Sequence, residues 1–214
     1  MTARLIRRRT FLVGAPLLAL PAGCSLLPTP QAAEIYQLSP QVSDPPGPSV
    51  PHSELTINLP IASASLDTDR IALTLGRIRF DYYADSVWTD RLPVLLQTLM
   101  VEAFQSDGRL TEVARDNYGL TQGYVLRTEV RRFEAQYPSA GTGPPDISIV
   151  LELQLSAGVQ GRLLGSRLIS VQTRAARNKL DAVVTAFDAA TAAALSQTVA
   201  WTAQTISRDR GRRR

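Results

Sequence analysis

The chain has 214 residues, with 23 basic and 19 acidic side chains, a single Cys, a single His and a pI near 9.6. One cysteine excludes an intramolecular disulfide and any cysteine-based metal cluster, and a lone histidine argues against a zinc site. The positive charge sits at the two ends. Four Arg fall in residues 1–23 and five Arg with one Asp in 208–214, which leaves 14 basic and 18 acidic side chains between them, a net of −4 that argues against nucleic-acid binding.

At the N-terminus, Arg4, Arg7, Arg8 and Arg9 precede an apolar stretch of about twelve residues, Phe11 to Ala22. A bilayer span needs roughly 20 apolar residues, so the stretch is too short to cross, and Pro16 and Pro21 weaken it as a helix. A basic region, a short apolar run and small residues before a cleavage point form a secretory signal, assigned to residues 1–23. Leu20-Pro21-Ala22-Gly23-Cys24 is similar to a lipobox, with Pro21 where a Leu is usual. Cys24 is therefore read as the lipidation site, which would hold the protein to a membrane, since each buried CH₂ contributes roughly 0.8 kcal/mol. Ser25 follows it, whereas lipoproteins kept at the inner membrane typically resemble Cys-Asp, and this favours the outer membrane. Arg8-Arg9-Thr10-Phe11-Leu12 looks like a twin-arginine export motif; an ordinary secretory signal is the alternative.

Residues 24–52 read as a lipid-anchored linker. Seven of the 14 prolines lie there, which favours an extended spacer. Glu34–Leu38 interrupts it as a short strand. Residues 53–207 suit one domain with one core. Leu55, Ile57 and Leu59 alternate as a strand up to Pro60, and Leu66–Arg70 is a turn or helical corner. Ile71–Leu75 and Ile78–Tyr82 alternate as a strand pair broken at Gly76. Leu92, Leu95, Leu96, Leu99, Ala103 and Phe104 form the stripe of a first helix, with Thr89 or Asp90 as cap, Pro93 in the first turn and Gly108 at the C-terminal end. A strand near 110–114 follows, then a long one over 123–137. There Phe133 is out of phase with Leu126, Thr128 and Val130, which predicts a bulge between them. Ile147–Leu155 is the strictest alternation, with Val125 and Val150 facing outward. Ile169–Thr173 is a further strand. A final Ala-rich helix runs from about Leu180 to Ile206, with residues 208–214 as a frayed basic tail. The expected fold is an α/β (α+β) layered single domain: a mixed, mostly antiparallel sheet with two amphipathic helices packed on it.

Few residues carry chemistry. His52 lies in the linker and reads as solvated rather than catalytic, and Asp67 and Asp69 read as turn formers rather than an acid/base pair. No phosphate-binding loop or dinucleotide fingerprint is present. Tyr82, Tyr83 and Trp88, just before the first helix, are either core residues or an exposed partner-binding patch.

Taken in order, Tyr36-Gln37-Leu38 after Cys24, Leu66-Asp67-Thr68-Asp69-Arg70-Ile71, Tyr82-Tyr83, Trp88 opening the helix, and Ala186-Phe187-Asp188-Ala189-Ala190 resemble the ABC-type transport auxiliary lipoprotein family, which includes PqiC-type proteins, over roughly residues 36–205. The resemblance implies a non-enzymatic, outer-membrane-anchored, periplasm-facing protein without a cofactor. It also implies an MCE-family periplasmic protein and its ABC transporter as partners, an α/β domain sometimes assembled into homo-oligomeric rings, and a part in lipid transport. Two rival expectations remain: a lipid- or solute-binding carrier with an apolar cavity lined by residues such as Leu126, Ile149 and Leu151, and, less well supported, an envelope hydrolase.

Overall fold

The structure is a computed structural model that describes residues 32–42, 50–76, 78–115, 123–138, 142–158 and 160–212. The signal segment and Cys24 lie outside the described residues. Among the described residues, nine strands and two helices follow in the order β1 (Glu34–Tyr36), β2 (Val50–Ile57), β3 (Ile61–Ala62), β4 (Arg70–Leu75), β5 (Arg79–Trp88), α1 (Leu92–Asp107), β6 (Leu110–Arg115), β7 (Tyr124–Tyr137), β8 (Asp146–Ala157), β9 (Arg162–Arg174) and α2 (Leu180–Gly211). The α+β class is as expected. β3 is additional to the sequence reading, and the domain's first strand begins at Val50, inside the segment read as linker.

All nine strands belong to one mixed sheet. β7 is its spine, with β8 antiparallel along one edge for nearly its whole length. The opposite edge is tiled by three strands, all parallel to it: β2 meets Tyr124–Leu126, β3 meets Glu129 and Val130, and β4 meets Ala135–Tyr137. β6 extends the sheet beyond β2, and β5 and β1 extend it beyond β4. β9 pairs with β8 and closes the other side.

Burial in β8 follows its alternation: Ile147, Ile149, Leu151, Leu153 and Leu155 are all at most 1% exposed. In β7 the alternating buried set is Tyr124, Leu126, Thr128 and Val130, then Phe133, Ala135 and Tyr137, and Glu134 is buried as well. The change of phase is the expected bulge: Val130 opposes Leu151 and Arg132 opposes Val150, leaving Arg131 as the extra residue.

Both helices cover this same face. On α1, Met100 meets the Thr128 hydroxyl and Gln97 donates to the Ile57 carbonyl. On α2, Phe187 stacks on Phe133 with ring centroids 5.2 Å apart. α1 starts after Arg91, not after a Thr89 or Asp90 cap; the Asp90 carboxylate instead accepts the Arg91 N–H, and Pro93 sits in the first turn. Gly108 ends α1 in the left-handed region at φ 68°, its N–H donating to the Phe104 carbonyl. α2 is long and apolar enough, by length and composition alone, to cross a bilayer. Its apolar side chains, among them Val183, Phe187, Leu195, Val199 and Ile206, are buried in the core instead.

α2 also runs further than its apolar pattern predicts. The segment read as a frayed tail begins inside the helix. Asp209 is 8% exposed, accepting from the Arg162 guanidinium at 2.6 Å and the Tyr124 hydroxyl at 3.2 Å. Arg210 donates to the Ser53 hydroxyl. One buried carboxylate with a cross-strand arginine thus holds the last turn on the sheet.

Candidate functional site

The segments that carry the family resemblance meet at one corner. Leu38 is buried in the core, and the Ser39 N–H donates to the Asp188 carboxylate at 2.7 Å. The Tyr36 carbonyl accepts from the Thr89 N–H, and β1 pairs with Ser86–Trp88. In the turn before β4, the Thr68 carbonyl receives the Leu92 N–H, the Asp69 carbonyl receives the Trp88 N–H, and Asp67 pairs with Arg91 at 2.5 Å. The first set of bonds clamps the arm 34–42, which leads back toward Cys24, onto α2 and the end of β5, and the second ties the turn before β4 to the start of α1. The Tyr36 hydroxyl donates to Glu34 at 2.6 Å, and its pKa is pushed up to about 12, chiefly by that hydrogen bond.

The three aromatics read as a partner-binding patch separate. Trp88 is 2% exposed, edge-on to Phe133 at 6.2 Å and to Phe187 at 5.3 Å. It is a core residue, which corrects its assignment as a contact. The cause lies in β5: Val87 pairs with Arg70 and Tyr82 with Ala72, so four residues of β5 bulge opposite Ile71, with Asp85 at φ 49°. The bulge turns Trp88 inward. Tyr83 also faces the helices. Its hydroxyl lies 2.8 Å from that of Tyr137, which in turn donates to the Asn178 side-chain oxygen at 2.8 Å. Tyr83 therefore donates to Tyr137. Burial, reinforced by this bond, holds the Tyr83 phenol protonated well above its usual range.

Tyr82 alone stays on the open face of the sheet. Its ring meets Phe80 edge-on at 5.3 Å, its hydroxyl donates to the Ser65 carbonyl, and the Arg70 guanidinium lies 3.7 Å over its centroid. Beside it, Ile78 at the β4–β5 hairpin is 94% exposed and Phe80 39%. With Thr74, Arg132, Glu134 and Gln136 these residues line a shallow depression on the open face. Farther along that face, Arg131 pairs across strands with Glu152 and along its own strand with Glu129. The sequence reading missed Ile78 and Phe80 as exposed residues, because alternation alone makes them look like the buried side of a hairpin.

Leu126, Ile149 and Leu151, expected to line a carrier cavity, are instead filled core positions under the helices, each at most 1% exposed. The side chain of His52 lies outside the described residues. Among the described residues, no three His, Cys, Asp or Glu side chains come together as a metal site.

Comparison with known proteins fits this architecture. The crystal structure of protein XCC0632 from Xanthomonas campestris superposes with a TM-score of 0.76 at 27% identity, covering 83% of this chain and 99% of that one. A crystal structure of an uncharacterized protein aligns at a TM-score of 0.62 and 17% identity over 82% of this chain and 99% of the other, a likeness of fold alone. An uncharacterized protein of Bradyrhizobium diazoefficiens is 27% identical over 150 residues, 70% of this chain but only 39% of that relative's length. Residues 36–206 match the description "ABC-type transport auxiliary lipoprotein component". The match runs from the last residue of β1 through the rest of the sheet and most of α2, and on it the chain belongs to the ABC-type transport auxiliary lipoprotein family.

Proposed function

We propose that this protein is an outer-membrane-anchored adaptor, tethered through Cys24, that docks an MCE-type periplasmic protein on the open face of its sheet and so helps an ABC transporter move lipid across the periplasm. The observation that carries the reading is the patch formed on that face by exposed Ile78 and Phe80 with half-buried Tyr82. Its partly desolvated aromatics, with Arg70 and Arg132 beside them, are the kind of surface that anchors a protein partner. The clamp on the arm 34–42 supports the same reading, since it would pass a pull on the tether into α2 and the core rather than peel the arm away. The role needs no chemistry from the chain, only a held surface.

The test is recovery of partners with the tagged full chain from cells that make the MCE and ABC components. Wild type should recover them, and an Ile78→Asp/Phe80→Ala/Tyr82→Ala variant with unchanged thermal unfolding should recover at least tenfold less. Recovery of neither component by wild type would sink the proposal. Fatty-acid labelling that is present in wild type and lost in Cys24→Ser checks the anchor separately.

A further inference from the structure

Arg167 breaks the pattern of its strand. On β9 the positions facing the helices are Gly165, Arg167, Ile169, Val171 and Thr173, of which Ile169 and Val171 are buried. Arg167 opposes Leu153, itself fully buried, so a charge stands on the apolar face between Gly165, which opposes Leu155, and Ile169, which opposes Leu151. It lines a cleft of about 630 Å³ between β9, the last turns of α2 and the α1–β6 junction. Three arginines line the cleft, Arg109 between α1 and β6, Arg167 on β9 and Arg208 on α2, with Trp201, Gln197 and Gln204 beside them, and no carboxylate lines it.

The charges do not cancel locally. Arg109 is mostly buried and its Nε donates to both Asp107 oxygens, at 2.9 and 2.8 Å, so that pair is neutral and fixed. The nearby Asp209 is engaged by Arg162. The Arg167 and Arg208 side chains are exposed and have no carboxylate partner among the described residues. Arg208 has a structural account, because a cation in the last turn complements the helix dipole. Arg167 does not share it. An inward-pointing charge can protect an edge strand from pairing with another chain, but that role needs neither the second unpaired guanidinium nor the amides around it. The indole of Trp201 lies over Gly165, 3.8 Å from where a Cβ would stand there, and walls one side with apolar surface.

We propose that this cleft binds a phosphate ester, with Arg167 and Arg208 as paired donors to the phosphate oxygens, Gln197 and Gln204 at the rim, and the neighbouring carbon skeleton against Trp201. Guanidinium is the side chain that matches phosphate with two parallel N–H groups, and the size is in the range of ordinary ligand pockets, about 300–1,000 Å³. The source of the phosphate is either a lipid headgroup or a soluble ester. The site is on the helix side of the sheet and is independent of the docking patch.

The experiment is a titration of the full chain in a maltoside detergent, at constant ionic strength, followed by calorimetry and by tryptophan fluorescence. The probes are inorganic phosphate, glycerol 3-phosphate and monomeric dihexanoyl phosphatidic acid. Saturable binding by at least one probe, weakened about tenfold or more in Arg167→Ala/Arg208→Ala and unchanged in Arg131→Ala, is the expected result. Equal affinity for all three probes assigns the site to soluble phosphate, and binding confined to the phosphatidic acid assigns it to a lipid headgroup. Absence of saturable binding, or equal affinity in the double variant, overturns the proposal. Phenylglyoxal labelling of wild type, read by mass spectrometry, gives the same decision without any variant: the bound probe must slow modification of Arg167 and Arg208 severalfold and leave Arg131 unaffected.

Discussion

Trp88, Phe133 and Phe187 join β5, β7 and α2 in one aromatic stack, with Phe133 and Phe187 each at most 1% exposed. Emptying such a site loses both the transfer free energy and the contacts around the cavity. Trp88→Ala or Phe187→Ala should therefore cost about 3–5 kcal/mol in urea unfolding. Trp88→Phe should leave partner recovery unaltered, because the indole is buried in the core. Tyr83 makes a pH prediction. In the unfolded chain its phenol ionises near the ordinary value of 10.0, whereas burial and the bond to Tyr137 keep it neutral in the fold. Its contribution is whole below about pH 10 and is lost as the pH climbs above that value. Wild type should accordingly lose more stability than Tyr83→Phe between about pH 9 and pH 11, by paired urea titrations; equal losses would remove this account.

At the scale of elements, β2 comes close to the start of β7 at Gly123. A Cβ there would stand 2.5 Å from the Glu54 carbonyl oxygen and 2.9 Å from the Glu54 Cβ. Gly123→Ala must push β2 away from the first pairs it makes with β7 and should cost about 1–3 kcal/mol by thermal unfolding. Most of the elements could be read from the chain, because period-two and helical patterns are imposed by burial on one face. Ile147–Leu155 shows it most plainly, and even the bulge at Arg131 showed as Phe133 falling out of phase. Three features escaped the pattern. β3 is two residues long and has no period to detect. The last turn of α2, Ser207-Arg208-Asp209-Arg210, is polar and reads as solvent-facing, since its stability comes from an ion pair with Arg162 that is distant in sequence. The inward turn of Trp88 depends on a four-residue bulge in β5, and an aromatic before a helix has the same spacing whether it points in or out. The patch proposed for docking was half legible: adjacent strand residues such as Tyr82 and Tyr83 must face opposite sides, but which side the helices would cover is set by the whole sheet.

The molecule as a whole is organised on β7, where strands from the first part of the chain, β2, β3 and β4, find their edge. None of them can complete its hydrogen bonds until a segment far downstream has been made, and β7 in turn needs β8 for its other edge. Pairings this distant in sequence are slow, because loop closure must be completed before the contacts form. A fragment ending at Arg115, which retains β1 to β6 and α1, should therefore show no cooperative melting by circular dichroism, while the full chain melts in a single step. Until its central strand emerges from the ribosome, the growing polypeptide is a set of partners without a template. Export machinery that threads unfolded substrates would thus meet a chain slow to close on itself, and machinery that passes only finished folds would have to wait for the C-terminal third.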